Sequence, residues 1–103
     1  MVSYLVQILL PKESGSGQAV EQKWFDCLLK ELTDKFGGAT SFLRAPGEGL
    51  WRNGGVTQQD NIAVVEVMAK ELDPAFWGSL RERMERDLGQ EQIVIRAHEI
   101  IPL

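Results

Sequence analysis

The sequence has very little of what builds disulfides, metal centres and histidine-based active sites. Its 103 residues include one cysteine, Cys27, and one histidine, His98. A single cysteine excludes an internal disulfide and is typical of a reducing compartment, so we expect a cytoplasmic protein. None of the spacings CxxC, HxxxH or HExxH occurs. The sequence therefore predicts neither a metal site nor a cofactor.

Long apolar runs and an excess of positive charge are also lacking. The N-terminal run Val2–Leu10 contains Ser3, Tyr4 and Gln7 and is too short to span a bilayer. No lysine or arginine precedes Lys12, whereas a signal peptide begins with a basic segment. The net charge of −4 argues against a broad surface for phosphate backbones. We therefore expect neither a membrane nor a nucleic acid as a partner.

What the sequence does contain is an ordinary globular composition with periodic apolar patterns. Hydrophobic residues make up 44% and charged residues 25%, a balance that favours one folded domain over residues 1–103. Two stretches have helical spacing and end at Gly37 and Gly89, and the second begins with the N-cap pair Asp73-Pro74. Their apolar stripes are Phe25, Leu28, Leu29, Leu32 and Phe36 in the first helix, and Phe76, Trp77, Leu80, Met84 and Leu88 in the second.

Four further stretches are typical of β-strands. They are Val2–Leu10, Ala39–Ala45, Asn61–Ala69 and Gln92–Ile101. Together with the helices they form the order β-α-β-β-α-β, which is the ferredoxin-like pattern. We expect an α+β fold with a four-stranded antiparallel sheet in the order 4-1-3-2 and both helices on one face.

Alternation along the strands predicts which side chains lie under the helices and which lie on the open face of the sheet. The face under the helices is assigned Val6, Ile8, Leu10, Leu43, Ala63, Val65, Val67, Ile93, Ile95 and Ala97. The open face is assigned Leu5, Gln7, Leu9, Thr40, Phe42, Arg44, Ile62, Val64, Glu66, Met68, Val94, Arg96 and His98. Because about half of the open face is apolar, we expect a second copy of the chain to cover it, which gives a homodimer.

The polar residues of the open face form a candidate ligand site. Glu66 interrupts an apolar strand, where a carboxylate is costly unless it is paired. Its expected neighbours are Arg44 on one side and Gln7 on the other, with Arg96 one strand further. One hypothesis is a hydrogen-bond network that fixes the sheet or the dimer. The other is a pocket that binds a small organic ligand and also includes His98.

The glycine-rich connection Gly47–Gly55 adds Trp51 and Arg52 to the candidate ligand-binding residues. It is interpreted either as a structural arch, with Trp51 packed over a sheet edge, or as a lid in which both side chains contact a ligand. Cys27 lies on the flank of the first helical stripe and is interpreted as a small core residue.

Three short motifs within residues 36–101 carry a resemblance. They are Phe36-Gly37-Gly38-Ala39-Thr40, Gly49-Leu50-Trp51 and Asp60-Asn61-Ile62-Ala63-Val64-Val65-Glu66-Val67. With them the chain resembles a group of small, uncharacterised bacterial proteins. The resemblance implies a ferredoxin-like domain of the dimeric α+β barrel type, with no established activity. More distantly, such domains are similar to cofactor-free monooxygenases and small-molecule-binding regulatory modules, which is a similarity of fold and not of function.

Three functional hypotheses follow. The first is a dimeric ferredoxin-like domain of unknown activity whose open face binds a second subunit and a small organic ligand. The second is a small cofactor-free enzyme, monooxygenase- or isomerase-like, with Glu66 and His98 as acid and base and Arg44 or Arg96 orienting an anionic group. The third is a protein-interaction adaptor that uses exposed tryptophans or the apolar segment Ile100–Leu103.

Overall fold

The computed structural model describes residues 3–11, 15, 17–44, 52–53, 56–57 and 62–103, with side chains at all of these except 40–44, 52–53 and 56–57. Within these residues the elements are two helices, α1 and α2, and six strands, β1 to β6. Their bounds are β1 Ser3–Pro11, α1 Gln22–Phe36, β2 Thr40–Arg44, β3 Arg52–Asn53, β4 Val56–Thr57, β5 Ile62–Ala69, α2 Pro74–Leu88 and β6 Val94–Ile100. The prediction of an α+β fold with an antiparallel sheet and two helices is confirmed.

The main sheet has the strand order β2-β5-β1-β6, and its neighbouring strands pair antiparallel. The element order is longer than predicted, because β3 and β4 form a separate two-stranded sheet within the connection between β2 and β5. Sequence periodicity did not reveal this pair, since two-residue strands are too short to show an alternation.

Among the described residues, several strand ends differ from the predicted ones by one or two residues. β1 continues to Pro11, which pairs with Ile62 as the last residue of the strand. A proline is compatible with that terminal position because it removes only one ladder donor. β6 begins at Val94 rather than at Gln92, and the N–H of Ile93 donates to Glu85 Oε2 of α2 at 2.8 Å. The N–H of Ile93 therefore bonds to a side chain of α2 and not to a neighbouring strand, and the start of β6 is attached to α2.

One face of the sheet packs against both helices. Val6, Ile8 and Leu10 of β1 are buried in the same cluster as Val65 and Val67 of β5. The helix residues of that cluster are Phe25, Leu28 and Leu32 of α1 and Trp77, Leu80, Met84 and Leu88 of α2. From Ile93, just before β6, along the strand, the helices cover the sheet less and less. Ile93 is buried, Ile95 is half-buried and Ala97 is exposed. Ala97 lies on the predicted face, since it pairs with the buried Val6, but the helices do not cover it because the edge strand runs out from beneath them.

The two helix stripes are those predicted, whereas the interpretation of Cys27 is wrong. Cys27 is a free, exposed thiol on the flank of α1. The residues that complete the packing of α1 are instead Leu29 and Phe36, which are half-buried against the core, together with Trp24. Phe25, Leu29, Leu32 and Phe36 lie on one side of Leu28 around the helix axis, whereas Cys27 lies about 100° away on the other side, beyond the covered arc.

Candidate functional site

Strand pairing arranges the open face of the main sheet in three rows that cross β5, β1 and β6. The middle row consists of Glu66, Gln7 and Arg96, which are direct pairing partners across the three strands. On one side of it lies a row formed by Met68, Leu5 and His98, and on the other side a row formed by Val64, Leu9 and Val94. The open face is therefore a polar row between two mainly apolar rows.

Hydrogen bonds join the three members of the middle row. Gln7 Nε2 donates to Glu66 Oε2 at 2.7 Å, and Arg96 Nε donates to Gln7 Oε1 at 2.9 Å. The amide of Gln7 therefore connects an acid to a base on opposite sides of the central strand. Bonds to charged groups are the stronger class of hydrogen bond, so this row holds its three side chains in one arrangement. The geometry is that of a network, which was one of the two hypotheses for Glu66.

The apolar residues of the open face differ in exposure. Met68 is 60% exposed and Val94 is 44% exposed, whereas Leu5, Leu9 and Ile62 are half-buried. Val64 is only 2% exposed although it lies opposite the helix-covered face. Two large apolar side chains in water on the same sheet face are consistent with a surface that binds a partner.

The register corrects the expected position of Arg44. Thr40, and not Arg44, pairs with Glu66 across β2 and β5, and Arg44 pairs with Ile62 four residues further along β5. Four residues of a strand span about 13 Å. The backbone of Arg44 therefore lies at the end of β2 away from Glu66. The sequence contains no signal for this offset, because register depends on the connection between the strands.

His98 lies on the open face in the row next to the polar one. His98 pairs with Leu5 of β1, and Leu5 pairs on its other side with Met68 of β5. The side chain of His98 is exposed. Leu5 thus separates His98 from β5, and Gln7 already occupies the bonding positions between Glu66 and Arg96. Glu66 and His98 therefore lie on different strands with Leu5 and Gln7 of β1 between them. This arrangement resembles a structural network more than an acid–base pair around one cavity.

The other predicted site residues fall partly outside the described part of the chain. Trp51 lies outside it, as does most of the connection Gly47–Gly55, so both the arch and the lid remain hypotheses. Arg52 is the first residue of β3, and its backbone pairs with Thr57. In the segment Ile100–Leu103, Ile100 pairs with Ser3, while Ile101 and Leu103 are exposed.

The structure also shows a surface on the helix side that the sequence did not reveal. A cavity of about 490 Å³ lies where the start of α1 meets the end of α2, and a groove of about 220 Å³ lies between the two helices. Trp24 and Asp87 line both, and Trp24 Nε1 donates to Asp87 Oδ2 at 3.2 Å. Neither is lined by Glu66, Arg96 or His98. Residues 63 positions apart in sequence have no shared pattern from which this contact could have been found.

No group of three or more His, Cys, Asp or Glu side chains within the described ranges is placed to hold a metal ion. Neither α1 nor α2 is long and apolar enough to cross a membrane.

Comparison with known proteins supports the fold. No protein-family model matches the chain, and no curated protein matches it. Among solved structures, the chain is similar to a phage SAM lyase in complex with S-methyl-5'-thioadenosine, with a TM-score of 0.62 and 15% sequence identity. The match covers 94% of this chain and 81% of the lyase. At that identity the likeness shows a common ferredoxin-like α+β fold, and it shows nothing about activity.

Proposed function

We propose that this chain is a ferredoxin-like domain of the dimeric α+β barrel type, which acts as a homodimer held together through the open face of its sheet. The observation that carries the proposal is the exposure of Met68 and Val94 on a face whose middle row, Glu66, Gln7 and Arg96, is already joined by hydrogen bonds. The hydrogen bonds to Gln7 reduce the cost of covering Glu66 and Arg96, because each charged group keeps one partner when water leaves.

The size of the apolar contribution indicates how much of the face takes part. Complete burial of a valine or methionine side chain contributes about 1.5–3 kcal/mol. Met68 and Val94 are each about half exposed, so covering one of them contributes about half of that value. The four side chains of two copies together contribute about 3–6 kcal/mol to a dimer. Association costs about 4–15 kcal/mol in lost freedom. The gain from these two residues reaches only the lower part of that range, so we expect the interface to include the half-buried Leu5, Leu9 and Ile62.

The test is the mass of the protein in solution, measured by light scattering at micromolar concentration. The wild type is expected at twice the mass of one chain. The double variant Met68→Lys/Val94→Lys is expected at the mass of one chain, because four lysines would have to lose their water in the interface. Leu72→Lys is the matched control, since Leu72 is 41% exposed but lies in the connection before α2. A monomeric wild type would contradict the proposal.

A small organic ligand on the same face is the second candidate. The chain shares its fold with a lyase whose structure holds S-methyl-5'-thioadenosine, and the Glu66–Gln7–Arg96 row offers a carboxylate, an amide and a guanidinium side by side. Such groups are suited to the hydroxyl and amino groups of a nucleoside.

The probe for this candidate is S-methyl-5'-thioadenosine itself, titrated into the wild type by calorimetry. We expect measurable heat for the wild type and its loss in Gln7→Leu, which removes the centre of the row. Arg83→Ala, on the helix side, serves as the control and is expected to bind as the wild type does. Absence of binding to the wild type would rule out this compound as the ligand and would leave the homodimer unaffected.

A further inference from the structure

The rows of the open face also bear on how two copies would meet, an inference that rests on the homodimer proposed above. In the middle row, the carboxylate of Glu66 lies on one side of Gln7 and the guanidinium of Arg96 on the other. The row is therefore negative at one end, positive at the other and neutral in the centre. When two such rows face each other with their ends exchanged, each negative end meets a positive end.

Two sheets that face each other can be related by a two-fold axis in either of two simple directions. An axis parallel to β1 exchanges the two ends of every row, so Glu66 of one copy faces Arg96 of the second copy. An axis along the middle row keeps each end in place, so Glu66 faces Glu66 and Arg96 faces Arg96. It also exchanges the two apolar rows.

We propose that the two copies stack with the two-fold axis parallel to β1, so that Glu66 of each copy contacts Arg96 of the other. The bonds to Gln7 use Oε2 of Glu66 and Nε of Arg96, and a contact across the interface would use Oε1 and the Nη groups. Close pairs of opposite charge stabilise an interface, whereas like charges brought face to face cost several kcal/mol.

The same axis also matches the apolar rows. Met68 faces His98 of the second copy and Leu5 faces its counterpart. Val94 faces the position of Val64, which is already buried within its own chain, and Leu9 faces Leu9. The exposed side chains Met68 and Val94 are thus both covered, and each lies against a row of its own kind.

Charge reversal tests the direction of the axis. Glu66→Arg would place arginine against arginine, so we expect its dimer dissociation constant to rise at least about tenfold. Glu66→Arg/Arg96→Glu restores opposite charges and is expected to recover wild-type affinity to within about threefold. With the axis along the middle row, like charges already face each other, and reversing one of them would leave the affinity unchanged. An unchanged dissociation constant in Glu66→Arg would therefore overturn the inference.

Cross-linking provides a second measurement that leaves the charged row intact. In a Cys27→Ser background, which removes the exposed native thiol, Met68→Cys and His98→Cys are made separately and mixed. Facing sheets lie about 10 Å apart, so a short bismaleimide is needed instead of a disulfide.

The expected product joins position 68 of one copy to position 98 of the other. If the variants have the mass of a dimer but yield no such product, the proposed axis is wrong and the homodimer stands. If the wild type has the mass of one chain, both the axis and the homodimer are wrong. The two failures are therefore distinguishable.

Discussion

Gly15 lies where the connection after β1 meets the end of α2. Its N–H donates to the carbonyl oxygen of Leu88 at 2.9 Å, and a Cβ at this position would overlap the carbonyl oxygen of Gly89. Backbone atoms of α2 cannot move aside as the tip of a flexible side chain can. Gly15 is therefore required by the close approach of two backbones, and its Gly/Ser-rich sequence context does not show this.

Replacing Gly15 by alanine is expected to lower the free energy of unfolding by about 1–3 kcal/mol, the usual cost of overpacking. The matched control is Gly78→Ala, within α2, where an added Cβ meets nothing within 4 Å. That variant is expected to be about 0.5–1 kcal/mol more stable than the wild type, because alanine is the better helix former. Urea denaturation measures both. Equal stability of Gly15→Ala and the wild type would contradict the close approach.

Among the secondary-structure elements, α2 has the start that its sequence specifies most completely. Asp73 Oδ1 accepts hydrogen bonds from the N–H groups of Ala75 at 3.1 Å and Phe76 at 3.3 Å, and Pro74 occupies the first helical position. At the other end Gly89 is left-handed, with φ of 61°. Both ends were predicted from the sequence, because capping involves residues only two to four positions apart.

Loss of the cap at Asp73 should be measurable by itself. Asp73→Ala is expected to lower the free energy of unfolding by about 1 kcal/mol, since the N–H groups of the first turn lose their side-chain acceptor. Asp73→Asn retains an acceptor oxygen and is expected to lie within about 0.5 kcal/mol of the wild type. Thermal or chemical denaturation followed by circular dichroism decides the matter, and similar losses for both variants would indicate a role of the charge rather than of the cap.

On the scale of the whole molecule, the two faces of the sheet are stabilised differently. The helix-covered face is a closed core of fully buried side chains such as Ile8, Leu32 and Met84. The ion pair between the helices, Arg83 Nη2 to Glu31 Oε1 at 2.7 Å, is more than two-fifths exposed at each side chain. A pair with that exposure contributes less than about 1 kcal/mol, so it adds little to the apolar packing of the two helices over the sheet.

The open face has the opposite character, and this has a consequence for stability in solution. If a second copy covers it, part of the folding free energy comes from association, and the melting temperature rises with protein concentration. The Met68→Lys/Val94→Lys variant should lose that dependence while keeping its helix-side core. A melting temperature independent of concentration in the wild type would agree with a monomer and contradict the homodimer.

The local sequence determined the elements and the side of the sheet on which each residue of β1 and β5 lies. Period-2 alternation placed Val6 and Val65 under the helices and Gln7 and Glu66 on the open face, and helical spacing with caps delimited α1 and α2. These features depend on neighbours within a few positions, so they can be predicted from one chain.

Only the tertiary structure decided which residues meet. Glu66 lies beside Gln7 and Thr40 rather than Arg44, Trp24 reaches Asp87, and Gly15 touches the end of α2. Such contacts follow from register and helix packing, which are set by the sum of many interactions between residues distant in sequence. A one-residue difference in register would turn the same side chains to the other face. The candidate surface could therefore be predicted from the sequence, but the Glu66–Gln7–Arg96 row that defines it required the fold.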